Sequence, residues 1–207
     1  MNAPMTSRTN RLDLAAQVTQ VHVDDQASAL MTLTLAFADD PVCRWCWEDM
    51  SQHLAAFPIF ARAFGGGAFS AGSALQIKGC AGAALWLPPN ASPDEAALDA
   101  VIQTTVPDRL RAPLYSMLEQ MGEHHPQRDH WYLPLIGVQP AHQGKGLGSV
   151  LMRPILQRCD EKRLPAYLES TNPRNISFYE RLGFRRTGRI QVSDSPVIVP
   201  MVRESVM

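Results

Sequence analysis

Apolar and polar positions follow two different periods along the chain, and together they predict an ordered series of helices and strands. The helical period predicts helices after Asp24-Asp25, over 51–64, within 92–127, and over 146–162 and 174–182. Short alternating or wholly apolar runs predict strands at 18–23, 74–78, 83–87, 130–138, 165–170, 184–191 and 196–202. Residues 1–16 carry neither pattern, so we expect a loose N-terminal arm followed by one domain over 17–207.

The run from His130 to Val138 differs from the other predicted strands because it is apolar at most positions. Such a run is typical of a central strand that is buried on both faces. Pro134 lies inside it, and because proline has no backbone donor we expect a bulge or an unpaired position there. The order strand, helix, strand, helix, strand predicts an α/β domain. We expect a mixed, twisted sheet of about six to seven strands flanked by helices on both faces.

Composition and charge exclude several classes of protein. Hydrophobic residues make up 45% of the chain, which suits a globular core and not a disordered segment. A formal net charge of −1 argues against a general nucleic-acid binder. No window reaches the ~18 apolar residues of a membrane span, and the N-terminus lacks the apolar run of a signal peptide. We therefore expect a cytoplasmic protein with neither a membrane nor a nucleic-acid partner.

The small net charge is the sum of two opposite regions. Residues 39–123 hold five basic and ten acidic residues, whereas residues 142–189 hold ten basic and four acidic ones. A cationic region next to an anionic one predicts an anionic ligand on the cationic side.

The four cysteines do not form a recognisable disulfide framework or zinc site. Cys43 and Cys46 make a C-x-x-C pair, but no second pair follows, and a structural zinc site needs about four ligands. We expect reduced, mostly packed thiols and no metal.

The most informative motif is a glycine-rich segment that follows the apolar strand and opens a helix. Glycines at 144, 146 and 148 would let backbone N–H groups converge on an anion at the positive end of the helix. The nucleotide-triphosphate loop G-x-x-x-x-G-K-[ST] does not fit, because Lys145 is followed by Gly146. The dinucleotide spacing G-x-G-x-x-G does not fit either. The pattern Q/R-x-x-G-x-G/A does fit, as Gln143 to Gly148, and the alternative is a plain turn without a ligand.

A second block follows about thirty residues later, where Asn172 lies seven residues before Tyr179 and "Gly-Phe" enters the next strand. Both blocks resemble the GNAT N-acetyltransferase superfamily, in which the first is the acetyl-CoA pyrophosphate loop. The segments LTLAFADDP (33–41), WYLPLIGVQPAHQGKGLGSVLM (131–152) and AYLESTNPRNISFYERLGF (166–184) look like its puromycin N-acetyltransferase-like branch. The resemblance covers nearly the whole chain but is thin over 42–130, where these proteins select their acceptor.

The resemblance implies direct acetyl transfer from acetyl-CoA, as cosubstrate, to an amine without an acyl-enzyme. It also implies residues that would contact acetyl-CoA along the strand, the loop and the second block. They are Ile136, Val138, Gln143, Gly144, Lys145, Gly146, Leu147, Gly148, Ser149, Asn172, Ser177 and Arg181. Tyr179 matches the general acid that protonates the departing sulfur; the alternative is a buried aromatic that anchors its helix. Glu169 is our candidate general base, with a structural ion pair as the alternative and His130 and His142 as further candidates.

The acceptor is predicted less directly. The acidic residues Asp39, Asp40, Glu48 and Asp49 follow the first helix, and a cationic amine drawn there could stack on Trp45, Trp47 or Trp86. An ordinary solvated acidic loop is the alternative. We expect a small-molecule amine as the acceptor. A protein N-terminus or lysine is the second enzymatic hypothesis, and a non-catalytic acyl-CoA-binding module is the third. A dimer is common in the superfamily, but the sequence does not decide between monomer and homodimer.

Overall fold

The computed structural model describes residues 18–206, so the expected arm at 1–16 lies outside the described residues. Over this range the chain forms a single α/β domain around a seven-stranded mixed sheet. The strands, in chain order, are β1 Val18–Gln20, β2 Ala74–Ile77, β3 Gly82–Leu87, β4 Trp131–Val138, β5 Ala166–Ser170, β6 Arg185–Arg186 and β7 Val199–Arg203. In space they are arranged β1-β2-β3-β4-β5-β7-β6. This confirms the predicted fold class.

Helices cover both faces of the sheet. They are α1 Gln26–Ala36, α2 Pro41–Cys46, α3 Met50–Gly65, α4 Gly67–Ser70, α5 Glu95–Thr105, α6 Asp108–Glu123, α7 Leu147–Lys162 and α8 Ile176–Glu180, with short 3-10 turns at Val23–Asp25, Pro140–His142 and Pro173–Asn175. Helices α1, α3, α5 and α6 bury their apolar sides in one core, and α7 and α8 in another. Each fully buried large side chain stabilises the fold by ~1.5–3 kcal/mol.

Strand alternation separates the two cores. In β3, Leu85 and Leu87 face the core that contains α1 and α3, whereas Ala84 and Trp86 face the core that contains α7. In β4, Tyr132 and Leu135 share the first core although they are three residues apart. Residues three apart on a regular strand face opposite sides, so an extra residue lies between them. The pairing register shifts at this place, where Leu85 faces Leu135 and Leu87 faces Tyr132. The bulge expected at Pro134 is therefore confirmed.

The central strands β4 and β5 run parallel but soon diverge. Over the described residues they pair through Trp131 with Ala166 and Tyr132 with Tyr167. Beyond Tyr132, the edge of β4 that faces β5 has no strand partner up to Val138. Its other edge pairs with β3 as far as Val138. The sheet thus opens a cleft at the carboxyl ends of two parallel strands, as predicted for the region between 130–138 and 165–170.

Several expected elements differ from the observed ones. The strand expected over 184–191 is reduced to β6, because the segment is mostly exposed between two buried residues, Phe184 and Ile190, the second of which bridges Ile198. The helix expected over 174–182 is a 3-10 turn followed by the short α8. Asp25 occupies the N-cap position of α1. Among the described residues, however, its carboxylate accepts a hydrogen bond from Gln76 Nε2 (2.7 Å) and none from the helix backbone. Helix α2 was not predicted.

Candidate functional site

The glycine loop between β4 and α7 is shaped for close approach by a ligand. Gly144 and Gly146 have φ of +74° and +81°, a region that favours glycine. Within the described chain, a Cβ added at either position would meet no atom within 4 Å, so the space beside the loop is open. Gly146 also occupies the cap position of α7, where no described side chain caps the helix. Free backbone N–H groups and the positive helix end therefore face this space.

Side-chain hydrogen bonds hold the loop in place. Gln139, at its start, donates through Nε2 to the Cys80 carbonyl (2.9 Å) and to Thr32 Oγ1 (3.2 Å), which ties the loop to the β2–β3 turn and to α1. Gln143 donates back to the carbonyl of Val138 (3.1 Å), and Lys145 donates to the carbonyl of Ala141 (3.1 Å). Motif reasoning did not identify the anchoring role of Gln139, because its partners lie far away in sequence.

A groove of about 1640 Å3, open solvent included, runs from this loop into the cleft between β4 and β5. Ten of the twelve predicted acetyl-CoA contacts line it. They are Ile136, Val138, Gln143, Gly144, Gly146, Leu147, Gly148, Ser149, Asn172 and Arg181. The side chain of Leu147 packs in the core, so this residue meets the groove through its backbone. Of the described residues, Lys145 and Ser177 are the two predicted contacts that are not in the wall; Ser177 is exposed on α8 and accepts from Arg181 Nη1 (3.4 Å).

The groove also has wall residues that motif reasoning did not assign to it. Phe37, Asp39, Asp40, His142, Arg174, Asn175 and Phe178 belong to this set. Phe178 is half-buried, and a Cβ at Gly148 would lie 3.2 Å from its ring. Arg174 and Arg181 add positive charge to this wall, and Asp39 and Asp40 add negative charge. His142, a candidate base, lies in this groove beside the loop.

Tyr179 is buried at the inner end of the groove on α8. Its ring lies 5.0 Å from that of Phe178 and 6.1 Å from that of Phe184, so the packing of both rings positions it. Burial, and then the nearby Asp40 carboxylate, raise the pKa of the phenol well above its usual value. The hydroxyl is therefore protonated at neutral pH and can act as a donor.

A second, narrow cavity meets the groove from the opposite side of the cleft. Its wall is mostly apolar and comes from five helices and the central strands. Apolar members include Phe57, Phe60, Phe64, Ile102, Leu114, Met117, Met121, Leu133 and Leu135. Five residues belong to both cavities: Phe37, Asp40, Ile136, Asn175 and Tyr179. The two spaces therefore share the wall that holds the Tyr179 hydroxyl.

Asp40 is a buried carboxylate in that shared wall. It accepts from the backbone N–H groups of Val42 (2.9 Å) and Cys43 (3.3 Å) as the cap of α2. It also accepts from Thr171 Oγ1 (2.6 Å), just after β5. Burial raises its pKa, although these three hydrogen bonds act in the opposite direction. One acidic side chain thus joins the α1–α2 turn to the end of β5.

The other candidate acceptor residues lie in different surroundings. Glu48 and Asp49 are exposed; Glu48 pairs with Arg109 (2.9 Å) and Asp49 caps α3. Trp47 lines the narrow cavity and donates to Thr105 Oγ1 (3.2 Å), and Trp45 packs against the same core without lining the cavity. The expected stacking on Trp86 is wrong, because strand alternation buries this side chain completely in the α7 core, on the other face of the sheet.

Glu169, on β5, reaches the narrow cavity with a side chain that is 2% exposed. Its Oε1 has no hydrogen-bond partner among the described residues and lies 3.5 Å from His125 Nε2. His125 Nδ1 in turn lies 2.9 Å from His130 Nε2. Two of the candidate bases, Glu169 and His130, are therefore linked through His125, which sequence reasoning did not consider.

The C-x-x-C pair has no redox or metal partner within residues 18–206. Cys43 and Cys46 are free, buried and part of the narrow cavity wall. Burial and the adjacent Asp40 raise both thiol pKa values, that of Cys46 to about 12. In the described part of the chain, no three His, Cys, Asp or Glu side chains are grouped closely enough to hold a metal ion. No helix in that part is long and apolar enough to cross a membrane.

Comparisons with known proteins agree with this geometry. Residues 115–184, which include the loop and Tyr179, match the family model described as the Acetyltransferase (GNAT) family. The chain is 27% identical over 218 residues to an uncharacterized N-acetyltransferase of Schizosaccharomyces pombe, covering 89% of this chain and 82% of that protein. Over these residues the chain is therefore similar to GNAT-family N-acetyltransferases.

Solved structures at low identity share the GNAT fold of this enzyme. A Corynebacterium glutamicum protein described as histone acetyltransferase HPA2 and related acetyltransferase has a TM-score of 0.64 at 22% identity, over 92% of this chain and 97% of that one. Arylalkylamine N-acetyltransferase 2 from Aedes aegypti has a TM-score of 0.60 at 11% identity, over 90% and 97%.

GNAT enzymes use acetyl-CoA as cosubstrate, and the groove of this chain offers groups that suit such a molecule. The open space beside Gly144 and Gly146, with the helix end behind it, matches a pyrophosphate. The unpaired edge of β4 offers backbone donors and acceptors, which match the amides of a pantetheine arm. The residues present therefore fit the cosubstrate that the family uses.

Proposed function

We propose that this enzyme transfers the acetyl group of acetyl-CoA directly to the amine of a small molecule with an apolar body. The observation that carries the proposal is the junction of two cavities at Tyr179 and Asp40. One cavity has backbone donors and positive charge, and the other has an aromatic and aliphatic wall. A reaction between two substrates that enter from opposite sides gains much of its rate from being held in line.

The groove residues would bind the donor in two parts. The loop from Gln143 to Ser149 would hold the pyrophosphate, with Lys145, Arg174 and Arg181 as positive charges around it. The edge of β4 at Ile136 and Val138 would hold the pantetheine arm, with Asn172 and Ser177 near it. Lys145 and Ser177 would reach the donor only from outside the groove wall, so we expect their contributions to be smaller than those of the loop backbone.

The chemistry needs a proton donor and a proton acceptor at the cavity junction. When bound, acetyl-CoA supplies an activated acetyl thioester. Tyr179 would donate its phenolic proton to the departing sulfur, and its raised pKa keeps that proton in place until it is needed. Glu169, buried in the acceptor cavity, would take a proton from the amine so that the nitrogen can attack.

The narrow cavity favours a small molecule over a polypeptide. Its aromatic wall would bury an apolar body, and the Asp40 and Glu169 carboxylates would attract a cationic amine. The resemblance to the puromycin N-acetyltransferase-like branch points the same way. A protein acceptor is the second candidate: one structural neighbour is described as a histone acetyltransferase, but a peptide needs a wide, open groove. Tyr179 at the junction, and Glu169 in the wall of the narrow cavity, argue against a non-catalytic module.

Calorimetry with acetyl-CoA, followed by thiol-release assays with amines, tests the proposal. We expect binding in the range of about 1 μM to 1 mM that is typical of enzyme substrates, and release of free CoA that depends on an added amine. If acetyl-CoA does not bind at millimolar concentration, the assignment of the groove is wrong. If it binds but no small amine accelerates thiol release while a peptide does, the acceptor is a protein.

A further inference from the structure

The Glu169 carboxylate is connected to the surface by two histidines. Its Oε1 lies 3.5 Å from His125 Nε2, His125 Nδ1 lies 2.9 Å from His130 Nε2, and His130 Nδ1 lies 2.8 Å from the Arg128 carbonyl oxygen. Exposure rises along this row, from 2% for the Glu169 side chain to 27% for that of His125. His130 and His125 both line a second, open groove at the surface, beside the 88–93 segment. The row therefore begins in the acceptor cavity and ends at solvent.

The two hydrogen bonds of His130 and the 3.5 Å contact between His125 and Glu169 limit where protons can reside in this row. A carbonyl oxygen can only accept, so His130 Nδ1 must carry a proton. With three protons in the row, three arrangements place one proton in every contact. In the first, Glu169 is protonated and both histidines are neutral Nδ1–H tautomers. In the second, Glu169 is ionised, His125 is a cation and His130 is the neutral Nδ1–H tautomer. In the third, Glu169 is ionised, His125 is the neutral Nε2–H tautomer and His130 is a cation. A single proton shift separates each arrangement from the next.

Packing keeps the row rigid. The ring of His125 lies 4.6 Å from that of Tyr132 and 4.3 Å from that of Tyr167, so β4 and β5 enclose it. Burial, and then the Glu169 carboxylate, raise the pKa of both tyrosines, which stay neutral. The rings position His125 and do not compete with it for protons at neutral pH.

Charged and titratable groups from every neighbouring element face the row. On the 124–130 segment they are Arg128, which pairs with Glu204, and Asp129, while His124 binds the Gln120 carbonyl. Helices α5 and α6 add Glu95, Asp99, Tyr115 and Glu119 along the groove that His125 also lines. These acidic residues lie on the His125 side of the row, whereas Asp129 is the acidic neighbour of His130 in the chain.

We propose that His125 and His130 form a proton exit that returns the amine's proton from Glu169 to solvent after each turnover. The proposal rests on the function proposed above. An ammonium RNH3+ brings three protons. The N–C bond forms and the C–S bond breaks, the amide keeps one proton, the CoA sulfur receives one through Tyr179, and one must leave. The exit carries this last proton, and the acetyl transfer itself involves no change in oxidation state.

His130, at the solvent end of the row, is suited to release a proton. Burial lowers the pKa of His130, although Glu169 and Asp129 oppose this effect. A lowered pKa means that the cation, once formed, gives its proton to water at neutral pH. Without the exit, Glu169 would remain protonated in a cavity that the acceptor or product fills.

Kinetics of four variants test the proposal. We expect His125→Asn, His130→Gln and His130→Ala to lower kcat by about 10²-fold while the Kd of acetyl-CoA stays unchanged. His130→Gln preserves a hydrogen-bonding group that cannot be protonated, so a purely structural role would leave its kcat near wild type. In these three variants the acidic limb of the pH profile of kcat should shift. Imidazole in the buffer should restore turnover to His130→Ala. His124→Ala is the matched control, and it should keep the wild-type profile.

The free protein provides a second readout. Ring nitrogen NMR should find His130 protonated at Nδ1 throughout its titration, and His125 held as the Nδ1–H tautomer in Glu169→Gln. A bare Nδ1 on His130, or wild-type kcat and pH profile in the histidine variants, would overturn the exit. An inactive wild-type enzyme with every amine would instead overturn the proposed function, so the two failures are distinguishable.

Discussion

The groove proposed for the donor and the narrow cavity proposed for the acceptor meet at one wall but are built in different ways. The groove takes most of its wall from two short stretches, around the glycine loop and around Tyr179, and it offers backbone groups. The cavity takes side chains from elements scattered between residues 37 and 198. A ligand common to a whole superfamily is recognised through backbone geometry, whereas the acceptor is recognised through side chains that can change one at a time.

Tyr179 belongs to both regions, so its replacement should have the largest effect. Tyr179→Phe removes the hydroxyl and keeps the ring packing against Phe178 and Phe184. We expect kcat to fall by about 10²–10⁴-fold and the Kd of acetyl-CoA by calorimetry to change little. Tyr115→Phe removes an exposed hydroxyl bound to Asp99 and Gln103 and should be silent. Unchanged turnover in Tyr179→Phe would reduce this residue to a packing role.

The donor region should be sensitive to a change of backbone conformation. Gly146→Ala places a Cβ in open space at φ +81°, and Gly79→Ala does the same at φ +78° in the β2–β3 turn. Both substitutions should lower the free energy of unfolding by about 1–2 kcal/mol, because a Cβ is unfavourable in the left-handed backbone conformation. Only Gly146→Ala should weaken acetyl-CoA binding, by about tenfold or 1.4 kcal/mol. Equal affinities in the two variants would remove the loop from the binding site.

The acceptor region should be sensitive to a change of charge. Asp40→Asn keeps a capping oxygen for α2 but removes the buried charge, so we expect KM for a cationic amine to rise about tenfold with the Kd of acetyl-CoA unchanged. Asp49→Asn, at the exposed cap of α3, is the matched control and should leave KM unchanged. A similar KM for Asp40→Asn and wild type would mean that another group binds the ammonium.

The stability of Asp40→Asn should move in the opposite direction from its activity. Burial raises the pKa of Asp40 in the folded state, so its ionised form destabilises the fold at neutral pH. We therefore expect the variant to unfold, in denaturant at pH 7, with a free energy at least equal to that of wild type. The difference should disappear as the pH falls through the pKa of Asp40, because the wild-type side chain is then neutral. A large loss of stability at pH 7 would contradict this explanation.

The smallest effect is expected at the exposed acidic residues. Glu48 pairs with Arg109 with side chains that are 77% and 61% exposed. Exposed pairs of this kind contribute about 0–1 kcal/mol, so Glu48→Gln should change neither the unfolding free energy nor KM measurably. A clear rise in KM would restore the acidic loop as the place where the amine is captured.

The two regions also differ in how well the sequence predicted them. The glycine loop and its helix are contiguous, and ten of the twelve contacts implied by the family resemblance lie in the groove wall. Trp86 was misassigned for a different reason. Strand alternation shows that its side chain and those of Leu85 and Leu87 lie on opposite faces of the sheet, but it does not show which face holds the acceptor. His125 was missed because it lies just after α6, 44 residues before Glu169 in the chain, and the two side chains meet only in the folded structure.

A panel of amines, with acetylation followed by release of the CoA thiol, tests most directly whether the groove binds acetyl-CoA and the narrow cavity binds an apolar amine. Acetyl-CoA is held at a saturating concentration, and aromatic and aliphatic amines such as 2-phenylethylamine are compared with lysine-containing and N-terminal peptides. We predict that kcat/KM for at least one apolar amine exceeds that of every peptide by more than about tenfold, because burial of an apolar body contributes ~1.5–3 kcal/mol. If peptides are acetylated and none of the small amines is, the assignment of the narrow cavity is contradicted.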